Sequence, residues 1–436
     1  MKFPGRRKYT HFFPVPARGA VLGPVGGQQS TAHRTRIVGV DQTLVDIEAH
    51  VSDELLERYG LVKGQSVIVD AAVCERLYTE LSNDGLIAAE HAGGTVGNTL
   101  HNYSMLADDD SILLGVMSDN IRLGTSGYRY LCNTSSRVLL DHLQPVDGPI
   151  GRCLALISSD GERSFAISEG WMNQLRPESI PEEVFDGVSA LVLTAYLMRC
   201  KPGDPMPEAT LRAIKLAKEA HVPVVLTLGT HHVISERRDY WLDFIDKHVN
   251  VVAMNEEEGE ALTGKSDALL ACNEALNVAD LVLCTAGEMG LYMAGYVEDA
   301  MKRKTRYPLM PGAIPEFNRY EFSRGMLKAS CESPVRVFAH ISPYMGGPHR
   351  IANTNGAGDG ALAALVHDIA ANHHHRATVP TSSKHKREFL TYSSLAQVCR
   401  YANRVSYEVL ANDSPRLTRG LPEREDSLKE EAYWAQ

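Results

Sequence analysis

The chain has no excess of basic charge, no paired cysteine motif and no long apolar run. Each absence excludes something. Against 44 Lys and Arg stand 54 Asp and Glu, a formal net charge of −10, whereas proteins that grip nucleic acid carry a basic surplus. Eight cysteines are scattered from Cys74 to Cys399 without a C-x-x-C pair, which argues against a zinc ribbon or a disulfide framework. No apolar stretch approaches the ~20 residues of a membrane span. Met1 to Pro16 is basic and aromatic, without the apolar core of a secretory signal. The expectation is a cytoplasmic protein with free thiols and with neither nucleic-acid nor membrane partners.

What is present is an ordinary globular composition, 44% apolar and 22% charged over 436 residues, and one conspicuous stretch. Asn353-Thr354-Asn355-Gly356-Ala357-Gly358-Asp359-Gly360 leads directly into the Ala-rich run Ala361 to Ile369. It predicts a glycine-rich turn that opens a helix. Glycine lets backbone come close to a ligand, and the unpaired N–H groups at the positive end of a helix hold anions. Asp359 then has two readings. It caps the helix, or it takes a proton from a hydroxyl while the N–H groups of Gly356, Ala357 and Gly358 hold the phosphate under attack.

Residues 1–36, with Arg6, Arg7 and Lys8, read as an extension without its own core, residues 37–412 as the folded body, and 413–436 as a polar tail. The body opens on a buried strand ending at Asp41. In the alternating strand that follows, Asp46 sits among apolar neighbours, so its carboxylate needs a partner, either local backbone or ligand hydroxyls. Ala92-Gly93-Gly94-Thr95-Val96-Gly97-Asn98 opens a second helix, with Asn98 offering both donor and acceptor groups. Strands near 153–157 and 163–167, joined by a Ser-Ser-Asp-Gly-Glu turn, predict a small sheet outside the main one, with lid strands from about 41–52 and 119–170.

From 190 to 284 strands and helices alternate as a parallel, doubly wound sheet requires, with ligands expected beyond the carboxyl ends of its strands. Three groups fall at those ends. Arg199 covers apolar surface or contacts a purine edge or phosphate. Beside Asn255, Glu258 complements a helix dipole or orients hydrated Mg²⁺. Thr285-Ala286-Gly287-Glu288-Met289-Gly290 supplies small residues where a nucleotide approaches. Residues 295–350 read as an irregular insertion, and His373, His374 and His375 as a loop without a metal.

As an ordered set, these motifs resemble the ribokinase family of sugar and nucleoside kinases. They run from Gly39 with Asp46, through Gly93-Gly94 with Asn98, Asn255 with Glu258 and Thr285 with Gly287 and Gly290, to Thr354 through Asp359. The resemblance spans roughly residues 37–410, and Leu44 to Leu106 is similar to the start of adenosine kinases. It implies a three-layer α/β/α sandwich with a mostly parallel central sheet and a small β-sheet lid. The function implied is ATP-dependent phosphorylation of the 5′-hydroxyl of a purine nucleoside, inosine or guanosine, in purine salvage. An adenosine or sugar kinase and a catalytically silent nucleotide sensor are the alternatives.

By the same resemblance, Asp359 is the base and Gly356, Ala357 and Gly358 the anion hole. Asp41, Gln42, Thr43, Asp46, Gly93, Gly94, Thr95 and Asn98 would surround the nucleoside, with Arg199 on its base. Asn255, Thr285, Ala286, Gly287, Gly290 and Asn403 would contact ATP, and Glu258 would manage Mg²⁺ through water. The family usually carries Asp where this chain has Asn353, in a monovalent-cation site, which weakens the case for a potassium cofactor. Beyond nucleoside and ATP, the partners considered are a second copy in a homodimer and an anionic effector at the basic N-terminal cluster or the 302–306 cluster.

Overall fold

The computed structural model describes residues 36–421 apart from 108, 307, 310–311, 344–350 and 353. The basic N-terminal cluster and Asn353 therefore lie outside the described residues. Among the described residues the main sheet has nine strands. Its middle is parallel: Ser111–Leu114, Arg36–Val40, Val188–Thr194, Val224–Thr227, Val251–Asn255 and Leu281–Thr285 lie side by side in that order. Val138–Leu139 adds a short parallel edge. These strands are apolar at nearly every position because both faces are covered. Ile37, Ala190, Val192, Val225 and Val251 point into one core, while Val38, Val40, Leu191, Leu193 and Val252 point into the other.

The first core is closed by helices Thr95–Ala107, Ala357–Thr378 and Leu395–Leu410, the second by helices that include Met206–Glu219 and Ala268–Ala275. The helix Ala357–Thr378 is buried along most of its length and packs between its two neighbours. Its Ala and Gly content permits this. At Gly360 a side chain would run into Val405 and Val409 of the adjoining helix. His373, His374 and His375 lie in the last turns of this helix, not in a loop. The segment carries no proline, and its two glycines, Gly358 and Gly360, both lie in the first turn, so nothing in it stops the helix before Thr378.

A second, five-stranded sheet forms the lid, ordered Ser66–Ile68, Arg163–Ser168, Gly151–Ile157, Leu44–His50 and Ile87–Ala92. Two of these strands, Ser66–Ile68 and Ile87–Ala92, fall outside the segments the sequence suggested, because they are short or weakly alternating. Val45, Ile47 and Ala49 turn inward with Leu55, Leu77 and Leu81 of the lid's own helices, which leaves Asp46 and Glu48 on the opposite face.

Two expectations need correction. The 295–350 stretch is not wholly irregular: Leu291–Glu298 and Pro334–Ile341 pair antiparallel and extend the main sheet beyond Leu281–Thr285. Their alternation was obscured by the long irregular run between them. Nor does the polar tail begin at 413. Pro415, Arg416, Leu417 and Leu421 are buried, and Leu417 and Leu421 join the first core.

The hairpin between Leu281–Thr285 and Leu291–Glu298 turns at Gly290, which has φ +95°. A side chain there would strike the Ile341 carbonyl. The protein's own backbone thus demands this glycine. Gly290→Ala is expected to lower the free energy of unfolding by about 1–3 kcal/mol, read as a lower denaturant midpoint with unchanged slope.

Candidate active site

The strand Arg36–Val40 leaves the main sheet at Asp41, and the next three residues carry the chain into the lid. Asp41, Gln42 and Thr43 are buried in this crossing. Thr43 gives its hydroxyl to the Val116 carbonyl at 2.5 Å, and the Gln42 amide nitrogen donates to Asn173 Oδ1, also at 2.5 Å. Thr43 is thus buried with its hydroxyl proton committed to backbone. Asp41 differs. Its carboxylate accepts N–H groups from Gly97 at 2.7 Å and Gln42 at 2.9 Å, and burial pushes it up to about 7.

Gly93 and Gly94 close the other side. A side chain at Gly93 would collide with the Asp46 carboxylate, and one at Gly94, whose φ is +91°, with that of Asp41. Both glycines make room for carboxylates. Thr95 then starts the helix that carries Asn98 into the interior. Asp46 lies opposite Cys153 in the lid register and shares a hydrogen bond with its thiol; burial pushes Asp46 up to about 6. Arg199, half-buried with its guanidinium 5.1 Å from the centre of the Tyr196 ring, acts electrostatically on that same Cys153. The lid carboxylate and Arg199 are thus both near this thiol.

At the turn before the long helix, Gly356 has φ +79°, and no side chain caps the terminus. The N–H groups of Ala357, Gly358 and Asp359 have no acceptor within the helix. Above Gly358 the space is open, with nothing within 4 Å of where a side chain would start. Asp359 Oδ2 instead accepts from Asn98 Nδ2 at 3.0 Å. Burial pushes Asp359 up to about 7, Asp46 adds to the rise, and the Asn98 bond and the Arg416 charge oppose it. A capping Asp would show a different partner and a lower pKa.

The lid is tied to this turn. Arg163 of the lid donates to Asn355 Oδ1, and Asn355 Nδ2 donates to Glu48 at 2.9 Å.

Asn255 and Thr285 end adjacent strands in register at the same edge of the sheet. Asn255 and Glu258 form a reciprocal capping box: Glu258 N–H donates to Asn255 Oδ1 at 2.8 Å, and Asn255 N–H to Glu258 Oε2 at 3.0 Å. A cap of this kind contributes about 1 kcal/mol and needs no burial of its carboxylate. Glu258 is nevertheless only 6% exposed, and burial, with Asp359 nearby, pushes it up to about 7. Ala286 N–H bonds the Gly290 carbonyl at 2.9 Å, Gly287 is exposed, and Asn403 Nδ2 donates to the Ser342 carbonyl at 3.1 Å. Among the described residues, no three His, Cys, Asp or Glu side chains are grouped to hold a metal alone.

The residue that sequence reasoning missed is Arg416. Its Nε donates to Asn98 Oδ1 at 2.9 Å, and its charge acts on Asp41, Asp46 and Asp359. The available signal was the pair Leu417 and Leu421, apolar at a spacing of four inside a stretch taken as solvated. On the basic 302–306 cluster, Lys302 is paired with Asp299 at 2.5 Å and lies over the Tyr320 ring.

Comparison with known proteins agrees with this geometry. Residues 127–306 match the model of the pfkB family of carbohydrate kinases. The guanosine-inosine kinase of Escherichia coli strain K12 is 64% identical over 434 residues, covering 100% of both chains, and that of the O157:H7 strain matches equally. Among solved structures, a probable sugar kinase from Rhizobium etli superposes with TM-score 0.66 at 18% identity, covering 91% of this chain and 98% of that one. An adenosine kinase from Sinorhizobium meliloti does so with TM-score 0.63 at 20% identity, covering 89% and 97%. The chain belongs to the pfkB carbohydrate kinase family, and its donor is the ATP that the family's kinase activity implies.

A carboxylate acting as a base must be unprotonated, and burial pushes Asp359 up to about 7. Activity should be full above that value and fall as pH drops through it. A kcat/KM profile is expected to show an acid limb close to pH 7, far above the ~4 of a free Asp.

Proposed function

We propose that this protein transfers the γ-phosphoryl group of ATP to the 5′-hydroxyl of guanosine or inosine, giving GMP or IMP. The observation that carries the reading is Asp359. It stands at an uncapped helix N-terminus, bonded to Asn98 and electrostatically coupled to the lid carboxylate Asp46. A 5′-hydroxyl is a weak nucleophile and must be held in line with the γ-phosphorus. Asp46, set on the lid face with Gly93 drawn back beside it, would accept ribose hydroxyls. Asp359 takes the hydroxyl proton as attack proceeds. The N–H groups of the Gly356-Ala357-Gly358 turn receive the charge that grows on the transferring phosphoryl oxygens.

Support for the substrate comes from the full-length likeness to the guanosine-inosine kinase. Asn255, Thr285 and Gly287 lie at one edge of the sheet, where the ATP phosphates would arrive. The Glu258 carboxyl fits a hydrated Mg²⁺: it is a buried anion among other anions, which a cation stabilises. Mg²⁺, when bound with the nucleotide, supplies charge neutralisation to the phosphates, and Glu258 would hold its water. The lid contacts Arg163–Asn355–Glu48 keep bulk water from the turn.

The test is ADP release from Mg-ATP with guanosine, inosine, adenosine, ribose and fructose 6-phosphate offered separately. Turnover confined to guanosine and inosine supports the reading, and turnover on adenosine or a sugar removes its substrate assignment. Asp359→Asn, checked for folding, is expected to lower kcat by at least ~10²-fold; a near-normal kcat would remove Asp359 as base.

Arg199, near the same thiol as Asp46, is a donor suited to the O6 acceptor of a 6-oxo purine and unsuited to a 6-amino group. Arg199→Ala should therefore raise KM for inosine about tenfold or more while leaving adenosine little changed, as the ~1–3 kcal/mol of a donor–acceptor pair implies. Equal effects on both nucleosides would assign Arg199 to packing.

A further inference from the structure

Arg416 lies on the segment after the last helix, is 3% exposed, and is absent from every motif that defines the kinase site. Two side chains of the helix Thr95–Ala107, Asn102 and His101, hold that segment. The Leu417 N–H donates to Asn102 Oδ1 at 2.8 Å, Asn102 Nδ2 donates to the Pro415 carbonyl at 3.2 Å, and His101 Nε2 lies 2.9 Å from the Leu417 carbonyl. Pro415 packs directly on Gly356 of the phosphate turn. The segment is therefore wedged between the helix that carries Asn98 and the turn that carries Asp359.

The guanidinium uses its fork fully. Besides Asn98 Oδ1, it donates to Thr134 Oγ1 at 2.8 Å and to the carbonyls of Asn133 and Gly93, each at 3.2 Å. An Arg can only donate. The Asn98 oxygen must face it, so the Asn98 NH₂ must face Asp359, where it donates at 3.0 Å. The orientation of a neutral amide is thereby fixed by a charge outside the reacting groups. The same cation stands among Asp41, Asp46 and Asp359.

We infer that Arg416 is a positioning residue for phosphoryl transfer: through Asn98 it aims the Asp359 carboxylate, and it supplies the positive charge that lets this carboxylate stay ionised. The inference rests on the reading of Asp359 as the base. Groups that bear on Asp359 from other elements are Asp46 on the lid and Arg416, while Asp41 and Glu258 are coupled to it in turn. Of these only Arg416 opposes the anionic crowd, so its removal has a predictable sign.

The experiment is the pH profile of kcat for wild type, Arg416→Ala, Arg416→Lys and Asn98→Ala, with Asp359→Asn alongside and folding checked by thermal unfolding. In Arg416→Ala the acid limb should move to higher pH, with kcat at the plateau reduced ~10²-fold by misplacement and KM for ATP little changed. Arg416→Lys should keep the limb near its wild-type position, because the charge remains, yet lose plateau kcat, because one ammonium cannot serve four acceptors. Combined with Asn98→Ala, the kcat loss from Arg416→Lys should shrink by several-fold. An unmoved limb in folded Arg416→Ala overturns the inference. If that variant does not fold, additive losses of Arg416→Lys and Asn98→Ala overturn it. Near-normal kcat in Asp359→Asn would instead overturn the base assignment, which separates the two failures.

Discussion

Several carboxylates crowded into one cleft set the terms for the rest of this site. Asp41, Asp46, Asp359 and Glu258 are each held out of water and pushed well above the ordinary carboxylate range, first by burial and then, at Asp41, Asp359 and Glu258, by one another. Removing an anion from water is costly unless something compensates. The surrounding structure reads as a set of compensations. Backbone N–H groups of Gly97 and Gln42 serve Asp41, a reciprocal cap serves Glu258, the Cys153 thiol serves Asp46, and the Asn98 amide serves Asp359. The glycines at 93 and 94 follow from the same constraint, since side chains there would occupy the space the carboxylates need. One buried cation, Arg416, is shared by three of the four.

The fold supplies this crowding through a simple piece of topology. The first strand enters at the middle of the parallel sheet, and three residues later the same chain is in the lid. Asp41 ends one sheet and Asp46 sits in the other, so a five-residue separation spans the cleft. The helix bearing Asn98 and the helix bearing Asp359 pack against each other in the first core. Their N-terminal ends meet under the lid, where their free N–H groups add a positive field to a region otherwise rich in negative charge. An anionic phosphate and a cation arriving with it are both stabilised there, for opposite reasons.

Much of this was legible from the residues, and the limits of legibility have a physical pattern. The parallel sheet showed itself because strands buried on both faces must be continuously apolar, as at Val188–Thr194 and Val251–Asn255. The glycine-rich turn and Asp359 showed themselves because tight backbone demands glycine. The same logic assigned Gly290 to ATP, and the structure adds a second reason for that glycine, its φ of +95° against the Ile341 carbonyl. Thr43 was placed at the pocket by the family resemblance, and its hydroxyl donates to the Val116 carbonyl. The two antiparallel edge strands were hidden by the irregular run between them, and the three histidines after Asn372 by the absence of any helical signal stronger than their own repetition.

Arg416 was missed for a deeper reason. A polar residue in a proline-bearing terminal stretch looks solvated by every local rule, and only tertiary structure shows that its neighbours Pro415 and Leu417 are anchored from both sides. Its placement nevertheless follows from the first constraint. A cleft lined with anions calls for a permanent cation if Asp359 is to ionise before a nucleotide arrives, and a single lysine ammonium could not reach the same set of acceptors. Arginine keeps its charge under those conditions and can satisfy several carbonyls at once. Bringing that charge from the end of the chain means that the site is electrostatically complete only when the final segment has docked. Arg416 touches Asn98 and Pro415 touches the Gly356 turn, so loosening the segment would disturb Asp359 and the turn before it together.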